Sequence, residues 1–276
     1  MPKALTDAQL ETFKRDGYAC PIPLLTPAEV AEYRRRFEEL EAVTGAEAQS
    51  RYRIKAHLPF PWLSELIRHP RLADAFEDVG GPDVIIWGTS WFTKKAHDVR
   101  FISWHQDSTY YGIDPPESIT AWIALSPARR DSGCMRVIPG SHLGDAVVPH
   151  KETYDPNNLL SRGQTIENVD ESTATFMELN PGEFSLHHNK LFHASEPNHS
   201  DDARIGFAVH IAPAYCRQSQ YDGATAVVVR GQDRNGFWKP EPYPRFDFDP
   251  VCLEELDAAW TRYRTGMKSI ARDAAE

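Results

Sequence analysis

The sequence lacks three features that would place it in other protein classes. Among its 276 residues, no apolar run approaches the roughly 18 residues that a membrane-spanning helix needs. Its 30 basic and 40 acidic residues give a formal charge of -10, the wrong sign for a nucleic-acid surface. Its four cysteines lie far apart and form neither a C-x-x-C pair nor a disulfide framework. We therefore expect reduced thiols and neither a membrane nor a nucleic-acid partner.

Both ends of the chain lack address signals. The N-terminus, MPKALTDAQLETF, has no apolar segment with a small-residue cleavage site, and the C-terminus, RDAAE, is not a peroxisomal signal. We expect a cytoplasmic protein, and its composition leaves the oligomeric state open. With 41% hydrophobic and 25% charged residues, the chain is typical of a globular protein. We interpret it as one domain over residues 1–276.

Helix signals lie towards the two ends of the chain. The stretches TDAQ and TPAE fit the capping box, in which a side chain and the backbone close the first helical turn reciprocally. A third helix is predicted over WLSELIRHPRLADAFEDV, residues 62–79, and completes a helical N-terminal part over residues 5–80. DPVCLEELDAAWTRYRTGMKSI predicts a C-terminal helix over about residues 250–270.

Between about residues 83 and 232 the pattern changes to short runs of β-branched and aromatic residues, separated by turn-forming clusters. Examples are ESITAWIALS, RIGFAVHIAP and TAVVVRG. Many short strands without interleaved helices are typical of a sandwich or barrel. We predict a mainly β fold, with a double-stranded β-helix core (jelly-roll, cupin-like) buttressed by N-terminal and C-terminal α-helices.

The stretch WHQDSTYY suggests a metal site. In a strand, residues i and i+2 point to the same face, so His105 and Asp107 would present an imidazole and a carboxylate side by side. Two histidines and one carboxylate form the facial triad that holds Fe(II) and leaves three positions open. Chance alone produces about one H-x-D pair in a chain of this composition, so strand context must decide. Two weaker candidates lie in turn-rich or irregular stretches: His199 with Asp201, and His150 with Glu152.

A third ligand must come from a neighbouring strand, and five histidines follow residue 180. They are His187, His188, His193, His199 and His210. A 2-oxo acid that chelates iron needs a cation at its far carboxylate, and Arg204 offers a planar guanidinium. If the strand ending at His193 and the strand opening at Arg204 pair as a hairpin, both residues lie at the same end of one sheet. This favours His193, and we interpret His187 and His188 as core or surface histidines.

Three stretches carry a resemblance to a known family: WHQD, AWIALSPARRDSGCMRVIPGSH and LFHASEPNHSDDARIGFAVH. With a looser match over about residues 10–232, the chain resembles the phytanoyl-CoA dioxygenase family of Fe(II)/2-oxoglutarate-dependent oxygenases. The resemblance implies Fe(II) as metal, with 2-oxoglutarate and O2 as cosubstrates. It assigns the iron ligands to His105, Asp107 and His193, and the contact with the C5 carboxylate of 2-oxoglutarate to Arg204.

The same resemblance implies further residues around the iron. Ser195, Trp122 and Lys95 match positions that line the cosubstrate pocket. The alternative for Trp122 is a plain core aromatic, and the neighbouring Lys94 leaves open which lysine faces the cosubstrate. Substrate contacts are expected from residues that flank the metal strand or reach the mouth of the barrel: Trp91, Phe92, Tyr110, Tyr111, Met135 and Arg217.

The implied reaction is hydroxylation of an unactivated C–H bond in a small-molecule metabolite, with release of succinate and CO2. Family members that halogenate carry a small residue at the position of Asp107, and nothing in this chain suggests a coenzyme A site. Desaturation, demethylation and ring formation stay open as other outcomes of the same chemistry. Two other classes also stay open: a non-catalytic cupin-like binding module, and a hydrolase or isomerase that uses His105 and Asp107 as a general base on a non-redox metal.

Overall fold

A computed structural model of the protein describes residues 2–144, 147–160 and 163–273, with side chains up to Gly266. Its helices are α1 (Asp7–Asp16), α2 (Pro27–Thr44), α3 (Ala48–Arg51), α4 (Pro61–Leu66), α5 (Pro70–Gly80), α6 (Ser108–Tyr111) and α7 (Pro250–Asp273), with 3-10 turns at Ser141–Leu143 and Glu171–Thr173. Within these described residues, no helix combines the length and apolarity needed to cross a bilayer.

The strands lie between α5 and α7, apart from the first. They are β1 (Tyr18–Pro23), β2 (Val84–Lys94), β3 (Ile102–His105), β4 (Ile113–Asp114), β5 (Ile119–Ala124), β6 (Met135–Val137), β7 (Lys151–Glu152), β8 (Gln164–Thr165), β9 (Thr175–Met177), β10 (Glu183–His188), β11 (His193–Ser195), β12 (Arg204–Pro213), β13 (Arg217–Gln218), β14 (Thr225–Arg230) and β15 (Lys239–Pro240).

The first two long helices begin where the sequence predicts. The hydroxyl groups of Thr6 and Thr26 accept hydrogen bonds from the backbone N–H groups of Gln9 and Glu29. In return, the side chains of Gln9 and Glu29 accept hydrogen bonds from the backbone N–H groups of the two threonines. Both capping boxes are therefore confirmed.

The single helix predicted over residues 62–79 is wrong, because the segment forms two helices. α4 ends at Leu66 and α5 begins at Pro70. A proline ring disfavours helical backbone at the residue before it. Accordingly, His69 is non-helical, with φ -54° and ψ 127°, and its Nδ1 accepts a hydrogen bond from the backbone N–H of Arg71. Pro70 therefore starts a helix rather than continuing one.

Most strands belong to two sheets. The larger sheet has the order β1-β10-β5-β12-β2-β14-β15, and the smaller has the order β3-β11-β6-β9. Neighbours are antiparallel except for β14 and β15. Side chains from both sheets line one cavity, which is the arrangement of a jelly roll. The predicted mainly β fold with flanking helices is confirmed.

The hairpin predicted between His193 and Arg204 is wrong. β11 pairs with β3 and β6 in the smaller sheet, whereas β12 pairs with β2 and β5 in the larger sheet. Residues 196–203 therefore cross from one sheet to the other. The two residues still approach the same cavity, from opposite walls.

The other face of the larger sheet packs against the helices in a core that extends from Leu5 to Leu256. Trp91 of β2 lies in this core, 2% exposed. Its ring centroid lies 4.7 Å from that of Phe37 on α2 and 4.8 Å from that of Phe207 on β12. Because successive residues of a strand point to opposite faces, the next residue, Phe92, faces the cavity. This helical packing fixes the larger sheet as one rigid wall of the cavity.

Candidate functional site

Three buried side chains converge at the end of β3. His105 and His193 are register partners across β3 and β11. Oδ1 of Asp107 lies 3.5 Å from Nε2 of His105 and 3.7 Å from Nε2 of His193. The three ligand atoms lie within 4.8 Å of one another. These two imidazoles and one carboxylate are the donor set of a 2-His-1-carboxylate metal site.

The backbone that carries Asp107 differs from the prediction. β3 ends at His105, and Asp107 has the helical angles φ -60° and ψ -34° at the start of α6. Strand alternation is therefore the wrong reason for its position beside His105. The carboxylate reaches the two imidazoles because the chain turns into α6 directly after the strand pairing ends.

Both histidines have the tautomer that a metal requires. Nδ1–H of His105 donates to the carbonyl oxygen of Ser103, and Nδ1–H of His193 donates to that of Leu191, each at 2.9 Å. These bonds leave the Nε2 lone pairs directed towards Asp107. Burial, together with the neighbouring His105, lowers the pKa of His193 well below its usual value. His193 is therefore neutral and able to bind a cation at physiological pH.

Asp107 is ionised in this setting. Burial alone would raise its pKa, but positive charge on the surrounding imidazoles, His193 first, lowers it well below its usual value, as a bound cation would. The carboxylate thus supplies the one anionic oxygen of the site.

Arg204 lies on the opposite wall with most of its hydrogen-bonding capacity unused. The residue is 2% exposed, and Nη1 donates to the carbonyl oxygen of Gly133 at 2.9 Å. Nε and Nη2 have no hydrogen-bond partner among the described residues. Burial lowers the pKa of Arg204 to about 10, so the guanidinium is charged at neutral pH. A buried cation with two unused donors fits a carboxylate ligand.

Two glycines allow this placement of Arg204. Gly133 has φ +68°, and a Cβ there would lie 2.2 Å from the carbonyl oxygen of Glu196. A Cβ on Gly206 would lie 1.8 Å from the indole of Trp122, whose ring faces the guanidinium carbon of Arg204 at 5.3 Å. Backbone without side chains at these two points lets Trp122 and the loop after β5 close around Arg204.

The lysine near this cluster is Lys94, and the expectation that Lys95 lines the pocket is wrong. Lys94 is fully buried, and its Nζ donates to Oγ of Ser195 at 2.7 Å and to the carbonyl oxygen of Glu196. The side chain of Lys95 is 68% exposed and pairs with Glu47. Burial and the adjacent charge of Arg204 lower the pKa of Lys94 to about 6. The strand alternation that turns Phe92 into the cavity also turns Lys94 inwards.

Two cavities share His105 and Asp107 among their lining residues. The inner cavity lies between the sheets, and the outer chamber has a volume of about 610 Å³. Of the predicted residues, the inner cavity is lined by His105, Asp107, His193, Arg204, Ser195, Trp122, Met135, Phe92 and Tyr111. The outer chamber is bordered by Trp91, Phe92, Tyr110 and Tyr111, together with His105 and Asp107.

Several other predicted positions lie away from these spaces. Arg217 is exposed and pairs with Asp114, so the expectation that it reaches the substrate is wrong. His199 is exposed, and Asp201 pairs with the surface residue His97. Nε2 of His150 accepts a hydrogen bond from the backbone N–H of Gln106, outside the triad. His188 packs beside His142, with ring centroids 5.5 Å apart.

The interpretation of His187 as a core histidine agrees with its burial, but the sequence did not predict that it lies beside the metal ligands. Its Nε2 is 3.4 Å from Oδ2 of Asp107. His187 and His210 both pair with Thr120, so the three residues form one row across β10, β5 and β12. Sequence reasoning left out Thr120 and gave His210 no role. His210 could have been found, because it stands an even number of residues after Arg204 in the same strand and so faces the same side.

Comparison with known proteins identifies the family. The family model described as phytanoyl-CoA dioxygenase (PhyH) matches residues 13–206. The chain belongs to the phytanoyl-CoA dioxygenase family. A probable phytanoyl-CoA dioxygenase of Caenorhabditis elegans is 25% identical over 254 residues, covering 82% of this chain and 81% of that protein.

Solved structures agree in fold. The apo structure of the non-heme monooxygenase ThoJ is 31% identical, with a TM-score of 0.85 over 96% of this chain and 99% of that chain. CytC3 solved with Fe(II) and alpha-ketoglutarate is 22% identical, with a TM-score of 0.63 over 88% of this chain and 100% of that chain. The donor set of the triad and the unpaired Nε and Nη2 of Arg204 fit the cofactors of this phytanoyl-CoA dioxygenase family member, Fe(II) and 2-oxoglutarate.

Proposed function

We propose that this phytanoyl-CoA dioxygenase family member hydroxylates an unactivated C–H bond of a small molecule. His105, Asp107 and His193 hold the Fe(II), with both histidines binding through Nε2. Fe(II) with 2-oxoglutarate and O2 supplies the oxidising chemistry, which inserts one oxygen atom into the substrate and releases succinate and CO2. The protein orders the ligands, binds the cosubstrate and excludes water from the reacting bond.

One observation carries this proposal: Arg204 stands in the same cavity as the triad with Nε and Nη2 unpaired. Burying a guanidinium without an anionic partner costs free energy unless a ligand accepts its hydrogen bonds. The C5 carboxylate of 2-oxoglutarate would accept from these two donors, with Lys94 and Ser195 beside it and Trp122 along one side. A hydrolytic metal site has no need for a carboxylate-binding arginine in this position, and a binding module without turnover has no need for a metal site with open positions.

The retained Asp107 supports hydroxylation as the outcome. Its carboxylate fills the third protein position of the facial set and leaves no position where a halide would replace a protein ligand. Desaturation, demethylation and ring formation would use the same centre and differ only in which substrate bond is presented to it.

The outer chamber supports a bulky substrate with an aromatic or apolar part. Its volume is about 610 Å³, within the range of cavities that enclose drug-sized molecules. Aromatic side chains border it on several sides: Trp87, Phe92, Tyr110, Tyr111, Tyr221, Trp260 and Tyr263. Tyr110 and Tyr111, at the junction with the triad, are the residues that would hold the reacting part of the substrate.

The test is oxygen uptake and succinate formation by the Fe(II)-loaded protein with 2-oxoglutarate alone, followed by a panel of bulky apolar metabolites. We expect slow turnover alone and a substrate that accelerates it, with a product about 16 mass units heavier in ordinary O2 and about 18 mass units heavier in 18O2. The His193→Ala variant should show neither. A wild-type protein that binds 2-oxoglutarate tightly but never forms succinate would instead be a binding module.

A further inference from the structure

We infer that His187 and Thr120 are positioning residues that hold Oδ2 of Asp107, so that Asp107 meets the metal through Oδ1 alone. This inference rests on the proposed function, because it concerns the same centre. Nε2 of His187 lies 3.4 Å from Oδ2, and Oγ1 of Thr120 lies 3.3 Å from it. The two oxygens of one carboxylate therefore have different surroundings.

Oδ1 is the oxygen that faces the other ligands. It lies 3.5 Å from Nε2 of His105 and 3.7 Å from Nε2 of His193. Those two nitrogens carry lone pairs, because both Nδ1 atoms donate to backbone carbonyl groups. Oδ1 thus completes the metal-facing set, while Oδ2 points towards the donors on the larger sheet.

The contacts of Ser90 and His210 determine which hydroxyl protons are available near Thr120. Oγ–H of Ser90 donates to the backbone carbonyl of Arg53 at 2.7 Å, because a carbonyl can only accept. Oγ of Ser90 therefore accepts from Nε2–H of His210 at 3.2 Å. Burial lowers the pKa of His210 to about 4, so its imidazole carries one proton. Nδ1 of His210 is then an acceptor.

Two hydroxyl groups approach that acceptor. O–H of Tyr111 lies 3.2 Å from Nδ1 of His210, and Oγ1 of Thr120 lies 3.0 Å from it. When Tyr111 donates to His210, the single hydroxyl proton of Thr120 is free for Oδ2 of Asp107. Oδ2 then accepts a hydrogen bond from Thr120 and also faces Nε2 of His187.

The contacts of His187 support the same role. Nδ1 of His187 is buried and has no hydrogen-bond partner among the described residues. Asp107 is therefore the polar partner that the structure gives this 1% exposed imidazole. A residue that served only to fill space would bury this polar ring at a cost. The strand pairing of β10 with β5 also fixes His187 and Thr120 side by side, on a rigid sheet.

The chemical consequence is that the carboxylate occupies one metal position. If Oδ2 also bound the metal, one of the three positions needed by the cosubstrate and O2 would be lost. Hydrogen-bond donors fixed on Oδ2 prevent the carboxylate of Asp107 from rotating so that both oxygens face the metal. Residues that hold a ligand in this way typically contribute about 10- to 100-fold to metal affinity.

The experiment titrates the protein anaerobically with Co(II) and records affinity and the visible absorption of the bound ion, without turnover. We expect His187→Leu and Thr120→Val to bind Co(II) about 10- to 100-fold more weakly and to change its absorption bands, since the carboxylate becomes free to rotate. His187→Gln, which keeps an N–H donor, should restore most of the affinity and the wild-type bands. His188→Leu is the matched control, because His188 is the adjacent histidine and lies outside the triad.

Unchanged affinity and unchanged bands in both His187→Leu and Thr120→Val would overturn the inference. Thr120→Val nearly preserves side-chain shape, so it remains informative if His187→Leu fails to fold. A His193→Ala protein that still binds Co(II) like wild type would instead contradict the metal centre itself. Loss of Co(II) in His193→Ala with no effect at positions 187 and 120 would contradict only the positioning role.

Discussion

Arg204 and Lys94 are direct register partners across β12 and β2, and both side chains are buried beside the candidate metal centre. Lys94 donates to Ser195 and to the carbonyl oxygen of Glu196, and Arg204 to Gly133, so neither makes a carboxylate ion pair in the described residues. Two cationic groups held together without an anion repel one another. This pair of basic side chains makes the pocket selective for an anion, and it links protonation of Lys94 to anion binding.

We predict that 2-oxoglutarate binding takes up a proton at Lys94. Burial and the charge of Arg204 lower the Lys94 pKa to about 6, so the free lysine is mostly neutral at pH 7.5. A bound carboxylate raises that pKa, so the complex holds more protons than the free protein. Affinity should therefore increase as pH falls towards 6, by at most about tenfold per pH unit. Calorimetry in two buffers of different ionisation enthalpy measures the uptake.

The neighbouring lysine provides the control for this proton uptake. Lys95→Met should leave the buffer dependence unchanged, since Lys95 is exposed. Lys94→Met should remove it. Identical heats in both buffers for the wild-type protein would contradict the linkage.

We predict that Arg204→Ala weakens the binding of 2-oxoglutarate about ten- to hundredfold, since a charge-assisted hydrogen bond contributes about 1.5 to 3 kcal/mol. Arg204→Lys should restore only part of this, because an ammonium group cannot reproduce the planar pair of donors. The measurement is the 2-oxoglutarate concentration dependence of the charge-transfer band under anaerobic Fe(II). Arg217→Ala, an exposed arginine outside the cavity, should match wild type. If the 2-oxoglutarate concentration at the midpoint is the same in Arg204→Ala and wild type, Arg204 does not bind the cosubstrate.

We predict that His105→Ala, Asp107→Ala and His193→Ala each lose most of their bound iron, because a site of three protein ligands has little affinity to spare. Metal analysis after anaerobic loading and desalting gives the occupancy. His199 and Asp201 form the other H-x-D pair, at the surface. His199→Ala and Asp201→Ala should both keep wild-type iron content. Iron retained in His193→Ala but lost in His199→Ala would reverse the assignment.

The sequence is informative about this site where local pattern determines structure. RIGFAVHIAP predicts β12 at its observed bounds, Arg204–Pro213, because alternating apolar residues between turn-forming clusters specify a strand locally. The capping boxes at Thr6 and Thr26 are local in the same sense. The strand prediction for His105 is correct, because β3 ends at that residue. The strand argument for Asp107 and the hairpin argument for His193 both misstate the backbone, so these two assignments depend on the family resemblance.

What the sequence did not yield depends on contacts between distant segments. The row of His187, Thr120 and His210 exists because β5 lies between β10 and β12. The sequence of a single strand does not determine this strand order. The choice between Lys94 and Lys95 depends on which face of β2 packs on the helices. Once Trp91 is known to face the helical core, alternation turns Lys94 inwards.

Our last prediction concerns a buried charge cluster outside the triad. The side chain of Glu241 is fully buried, forms an ion pair with Lys55 and accepts a hydrogen bond from Nε2–H of His57 at 2.6 Å. Nζ of Lys55 also donates to the carbonyl oxygens of Trp87 and Thr225, each at 2.8 Å. These contacts join the segment after β15 to β2 and β14. Glu241→Gln should therefore lower the free energy of unfolding by about 3 to 5 kcal/mol, because it leaves Lys55 buried without an anion.

The pH dependence of unfolding tests the same cluster. Burial would raise the Glu241 pKa, but Lys55 and His57 lower it to about 2, from 4.5 in the unfolded chain. A carboxyl with a lowered folded-state pKa contributes stability that is present above pH 4.5 and is lost as pH falls towards 2. Urea unfolding at several pH values should show this loss in wild type and a shallower acid dependence in Glu241→Gln. Glu254→Gln, on the exposed side of α7, is the control and should follow wild type. Equal stability of Glu241→Gln and wild type at pH 7 would show that the cluster contributes nothing to the fold.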